Sequence, residues 1–234
     1  NPHARIEHDG NPAHVGKLKS DITTKSALNA CGGGMDDDSD SLIDCADDSD
    51  CPAGTSCGTG GRICMLDKTC NILQTSTLSR CDDFSIGEKQ INTPYTKYTL
   101  DRSLTSSGAN TCFNIVAGNI IFDGSGFTIR TDAPGNGKGI SAYNVGYIII
   151  ENINVQDYEV GIELSLVNFA VIKAIGAIGN YIGVYIGEGG NNIIRDSTFS
   201  DNLYLFGGLY FYAASNNKII NNIFTNNQYG IYFG

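Results

Sequence analysis

The chain has 234 residues and a formal charge of −10, with 29 glycines, 8 cysteines and no tryptophan. No apolar run approaches the roughly 18 residues that a membrane-spanning helix needs, which excludes a span, and glycine without a three-residue period excludes collagen. The length allows one extended domain and a smaller module.

Residues 1–30 mix charges, include Pro2 and Pro12 and carry little apolar content, so they are read as a linker or the tail of a preceding domain. His3, His8 and His14 are irregularly spaced within them and are read as solvated. The chain begins at Asn1 and its only methionines are Met35 and Met65, so a removed leader or a longer parent chain is expected.

Residues 31–80 are read as a cysteine- and acid-rich module. The cysteines are Cys31, Cys45, Cys51, Cys57, Cys64, Cys70, Cys81 and Cys112. The first six fall within 40 residues that hold few large apolar side chains. Such a stretch cannot bury enough surface to order itself and needs cross-links. The even count predicts disulfides and an oxidising, extracytoplasmic location. Zinc is disfavoured, because these cysteines include no Cys-x-x-Cys pair and enclose no histidine. The pairing is open, although Cys81 with Cys112 is attractive because both flank the start of the repeats.

Between Cys31 and Cys51 lie 8 Asp and no Lys or Arg. Asp36, Asp38, Asp40 and Asp44 occupy positions 1, 3, 5 and 9 of a twelve-residue loop, with Leu42 at position 7 and Asp47 at position 12. That spacing surrounds Ca2+ with side-chain oxygens and one main-chain carbonyl in EF-hand-type loops. Ser41 stands where such loops have glycine, Asp47 is shorter than the usual Glu, and no amphipathic helix flanks the loop. The expectation is a bare calcium loop held by cysteines.

Residues 81–111 are read as a cap and lead-in region. Within them Tyr95-Thr-Lys-Tyr-Thr-Leu100 alternates like a strand that covers the first coil and protects its unpaired backbone groups.

From residue 112 to 234 one phrase recurs: Gly139-Ile140-Ser141-Ala142, Gly161-Ile162-Glu163-Leu164, Gly183-Val184-Tyr185-Ile186, Gly208-Leu209-Tyr210-Phe211 and Gly230-Ile231-Tyr232-Phe233. The spacings are 22, 22, 25 and 22 residues. A fixed period of this length predicts a solenoid, and the apolar second and fourth positions predict strands with one buried face. Further columns align Ile150, Ile172, Ile194 and Ile219, and Val155, Ala177, Phe199 and Phe224. Tyr158, Asn180, Asn202 and Asn227 form another column, read as structural because Asn tolerates bends and bonds neighbouring main chain. Three short strands per coil, near 148–151, 153–156 and 161–165, with turns too short for helices, predict an all-β, right-handed parallel β-helix, incomplete at its C-terminus.

The acidic run from Cys31 to Cys51 resembles calcium-binding modules of secreted microbial proteins, in the style of thrombospondin type-3 repeats. Asn119-Ile-Ile-Phe-Asp-Gly-Ser-Gly-Phe-Thr-Ile and Asn216-Asn-Lys-Ile-Ile-Asn-Asn-Ile-Phe-Thr-Asn-Asn-Gln-Tyr-Gly-Ile resemble the opening phrase and the repeat unit of parallel β-helix proteins with NosD-type repeats, in the pectate-lyase-like superfamily. The resemblance implies architecture far more than activity, because such repeats occur in lyases, hydrolases, adhesins and surface proteins.

Lyases and hydrolases on the implied fold work with clustered outer charges. Alignment stacks Glu151, Lys173 and Arg195, with Asp196 beside them, and this column is read as a solvated ladder, so no catalytic residue is assigned. The outer position of the repeated phrase becomes Tyr185, Tyr210 and Tyr232 in the last three copies, with Tyr204 and Phe206 in the nearby insertion at 203–207. Aromatics in a row suit sugar rings or a protein interface. The reading is therefore a secreted or cell-surface recognition protein whose β-helix face binds glycan or a neighbouring protein subunit, with no nucleic-acid partner. A self-assembling surface-layer or filament subunit, and a polysaccharide lyase or glycoside hydrolase, are the alternatives.

Overall fold

The computed structural model describes residues 62–65, 67–81, 91–108, 111–204 and 206–234. Residues 1–30, Asp36, Asp38, Asp40, Leu42, Asp44 and Asp47, and Cys31, Cys45, Cys51 and Cys57 lie outside them. A short antiparallel pair, Arg62–Cys64 with Cys70–Ile72, precedes three parallel sheets. The first sheet has seven strands, from Gln74–Leu78 through Thr96–Leu100 and Ile148–Glu151 to Lys218–Ile220. The second has six, from Leu104–Ser106 through Asn154–Gln156 to Ile223–Thr225. The third also has six, from Phe113–Ile115 through Val160–Ser165 to Ile231–Phe233. Each coil gives one strand to each sheet, which makes the chain a parallel β-helix. The segment 81–111 contributes strands to the first two sheets. No helix among the described residues is long and apolar enough to cross a membrane.

The columns aligned from sequence are hydrogen-bonded neighbours in space. Ile150 pairs with Ile172, Ile172 with Ile194 and Ile194 with Ile219. In the second sheet Val155, Ala177, Phe199 and Phe224 stack in register. In the third, Ile140, Ile162, Val184, Leu209 and Ile231 do the same. The first four of these are fully buried, and each such side chain contributes about 1.5–3 kcal/mol. Ile231 is 36% exposed because it has a coil on one side only.

The glycine that opens each phrase has a steric cause. A Cβ on Gly161 would lie 2.5 Å from the carbonyl oxygen of Gly183, and one on Gly183 equally close to that of Gly208. Only hydrogen fits between successive coils there, so glycine marks the period.

Buried asparagines pin the coils at the bend between the second and third sheets. Asn180 accepts from the Tyr158 amide at 3.0 Å and donates to the Val155 carbonyl at 3.0 Å. Asn202 repeats the pattern with the Asn180 amide at 2.9 Å and the Ala177 carbonyl at 3.0 Å. Asn227 accepts from Asn202 and donates to Phe199. Each amide satisfies main-chain groups that a bend would otherwise bury unpaired. Tyr158 heads the column, fully buried, with its hydroxyl 2.9 Å from Ser106 Oγ. Burial pushes its phenol up to about 12.

Other bends use left-handed backbone. Asn152, Asn191, Asn216, Asn221 and Asn226 all have φ between 52 and 58°, a region Asn tolerates well. Tyr147 and Phe169 occupy it too, both at φ 58°. Their rings stack 5.1 Å apart and 7° from parallel, a contact that offsets part of the backbone strain.

Candidate functional site: an aromatic face on the third sheet

Side chains at the centre of each third-sheet strand alternate inward and outward. The outward central column runs Asn114, Ser141, Glu163, Tyr185, Tyr210 and Tyr232. It is polar in the early coils and aromatic in the late ones. The structure brings the three predicted tyrosines into contact: the Tyr185 and Tyr210 centroids are 5.2 Å apart, and those of Tyr210 and Tyr232 are 5.4 Å apart. Both pairs meet edge to face at 62°.

The insertion folds onto this row. Phe206 lies 4.1 Å from Tyr210 and 4.8 Å from Tyr232, and all three tyrosines are half-buried. Tyr204 turns the other way and packs on Tyr181 at 4.6 Å, leaving 61% of its surface exposed. Tyr229 and Tyr212 widen the cluster, with centroids 5.4 Å from Tyr232 and 6.5 Å from Tyr210. Tyr181 and Tyr229 were not singled out from the sequence. Their signal was present, since each lies one or two residues before the glycine of its phrase.

Tyr185 depends on a second glycine. Its phenol end occupies the space that a Cβ on Gly187 would fill, with the hydroxyl oxygen 2.4 Å from that point. Burial raises the Tyr185 pKa, with Tyr210, Glu163 and Glu188 adding electrostatic pressure in the same direction. At the polar end, the Glu163 carboxylate takes an ion pair from Lys138 and a hydrogen bond from Ser141 Oγ at 3.0 Å. The face thus joins aromatic rings, phenols, a hydroxyl and a carboxylate along one sheet.

The charged column lies on the first sheet. Glu151, Lys173 and Arg195 stack in register, as aligned, and Asp123 extends the column by one coil. Lys173 pairs with Glu151 at 2.7 Å, Lys97 with Asp123 at 2.7 Å and Arg195 with Asp196 at 2.5 Å. Asp123 also accepts from the Ser125 amide at 2.8 Å and from Asn152. Its pKa is lowered: burial opposes ionisation, and Lys97, Ser125 and Asn152 together outweigh that cost. A cleft of about 360 Å³ beside it is lined by Ser125, Asn152 and Asn154. These cations are held by neighbouring carboxylates, as in a surface ladder.

Of the cysteines, Cys81 and Cys112 are bonded to each other, with Cα atoms 4.4 Å apart. Cys64 and Cys70 are also disulfide-bonded, and no cysteine among the described residues is free.

A family profile described as "Periplasmic copper-binding protein (NosD)" matches residues 114–234. No curated protein matches the sequence. Among solved structures, the alginate lyase from Paenibacillus sp. str. FPU-7 superposes with a TM-score of 0.38 at 16% identity, over 62% of this chain and 58% of that one. The chain therefore spans less than two thirds of that lyase. Copper sites are built from imidazole, thiolate and thioether donors. The matched segment contains no His, Cys or Met, so its residues do not fit a copper ion.

Proposed function

The chain belongs to the NosD family, and from that premise we propose that it is an extracytoplasmic recognition protein whose third-sheet face binds glycan. The observation that carries this reading is the aromatic cluster of Tyr185, Tyr210, Tyr232 and Phe206, continuous with the Ser141 and Glu163 polar column. Sugars present an apolar face and a hydroxyl rim together, and a surface that mixes rings with hydrogen-bonding groups matches both. The family's periplasmic description and the Cys81–Cys112 disulfide support a location outside the cytoplasm. The pairing of Lys173 and Arg195 with carboxylates supports binding over turnover.

Calorimetry against a panel of oligosaccharides tests this. The expected result is saturable binding, lost in the Tyr185→Ser/Tyr210→Ser/Tyr232→Ser variant while its circular dichroism stays that of a β-helix. Failure of every saccharide, with a protein partner bound through the same tyrosines, reassigns the face to a protein interface. Release of unsaturated sugar ends, lost on Lys173→Gln or Arg195→Gln, overturns it in favour of a lyase.

The acidic loop enters the proposal as a calcium clamp on the cysteine module through Asp36, Asp38, Asp40, Leu42, Asp44 and Asp47. Titration of the oxidised protein should give a heat of calcium binding at millimolar ion. Without one, the stretch is a linker.

A further inference from the structure

We propose that the tyrosine face selects glycans without carboxylates, favouring amino sugars and rejecting uronates; this deepens the recognition reading above and rests on it. The argument is charge complementarity around the rings. Glu163 is the direct cross-strand neighbour of Tyr185, and Glu188 lies one residue beyond the Gly187 that Tyr185 covers. Glu159 follows Tyr158, whose carbonyl receives the Tyr181 amide at 2.9 Å, so it stands on the adjoining coil at the Tyr181–Tyr204 flank. Glu159 and Glu188 are exposed. Against these three carboxylates the strand edge offers Lys138, which is held by Glu163.

The wider field has the same sign. Residues 112–234 carry five Lys or Arg and nine Asp or Glu, a net of −4. Lys173 and Arg195 of the first sheet are paired on another face. A uronate polymer places one carboxylate on every sugar, and each would meet a like charge at the rings. Like-charge contact across an interface is a strong means of rejection. An amino sugar reverses the sign and keeps the apolar ring face for stacking, with the ammonium attracted to the exposed Glu188 or Glu159, since Glu163 is already paired with Lys138.

The test compares three probes of equal length by calorimetry at low salt: a cello-oligosaccharide, a chitosan oligosaccharide and a galacturonate oligosaccharide. The expected order is chitosan tightest, the neutral glucan next and the uronate weakest, by about tenfold or more, with the spread narrowing as salt screens the charges. Glu159→Gln/Glu188→Gln, at two exposed positions, should strengthen uronate binding severalfold and leave the neutral glucan unchanged. A uronate bound as tightly as the glucan, or unaffected by that double variant, overturns the selectivity while leaving glycan recognition standing. Binding of none of the three overturns the recognition reading and the selectivity with it.

Discussion

Two outward columns climb the same coils and end in opposite states. On the first sheet Asp123, Glu151, Lys173 and Arg195 follow one another, and cations and carboxylates are matched within the chain. On the third sheet Glu163, Tyr185, Tyr210 and Tyr232 are stacked in the same way, yet the rings pack on one another, on Phe206 and on the flanking Tyr212 and Tyr229. The backbone geometry is shared, so the geometry of a repeat does not by itself make a site. A column of opposite charges closes on itself; a column of rings leaves polarisable surface and phenols for something else. The acids at its edge then decide which ligands are admitted.

The comparison can be broken at several depths. The core that both faces share sets the top of the scale. Ile162 is fully buried, and Ile162→Asp places a carboxylate there without a partner, which should cost more than about 4 kcal/mol and abolish cooperative thermal unfolding. A change confined to the aromatic face comes next. Gly187→Ala must push the Tyr185 phenol aside, with an expected loss of about 1–3 kcal/mol in stability by denaturant titration and a larger loss in glycan affinity.

Tyr158 separates interior from surface tyrosines. Its phenol is neutral when folded and its pKa is raised from 10.0 to about 12, so the folded state holds the proton that the unfolded state releases. Its contribution is complete below pH 10 and should be lost as pH rises towards about 12. Tyr158→Phe should flatten that alkaline slope, at a cost of about 1 kcal/mol near neutrality for the lost Ser106 contact. The smallest effect belongs to the ladder: Lys173→Gln removes one partly exposed ion pair and should change stability by about 0–1 kcal/mol, with no change in glycan binding. A large effect of Lys173→Gln on any saccharide reaction would collapse the contrast between the two faces.

Most of the solenoid was legible in the sequence, because parallel stacking at a fixed period puts equivalent residues side by side. The Ile150, Val155 and Ile140 columns and the asparagine column all have the alignment that repetition implied. The early coils were harder to read: Gln74–Leu78 and Thr96–Leu100 join the first sheet without the glycine phrase. The tyrosine column was legible as a register. Its surroundings were not, since the fold of Phe206 onto the rings and the seating of the Tyr185 phenol over Gly187 depend on an insertion and on side-chain rotamers, neither of which periodicity constrains. Lys138 against Glu163 was missed because the residue before the phrase is Lys138, Val160, Ile182 and Gly207 in successive coils, with no repeated type to draw attention.

The asparagine column also says where this chain tolerates foreign sequence. The step from Asn180 to Asn202 is 22 residues and that from Asn202 to Asn227 is 25, yet the amide bonds are the same in both. The extra length is taken up between Asn202 and Gly207, after one lock closes and before the next strand begins. Loops whose ends are held in this way accept changes of length at little cost. That segment is therefore a natural graft point, where a peptide epitope or a different binding loop can be spliced beside the aromatic face without disturbing the coils that carry it.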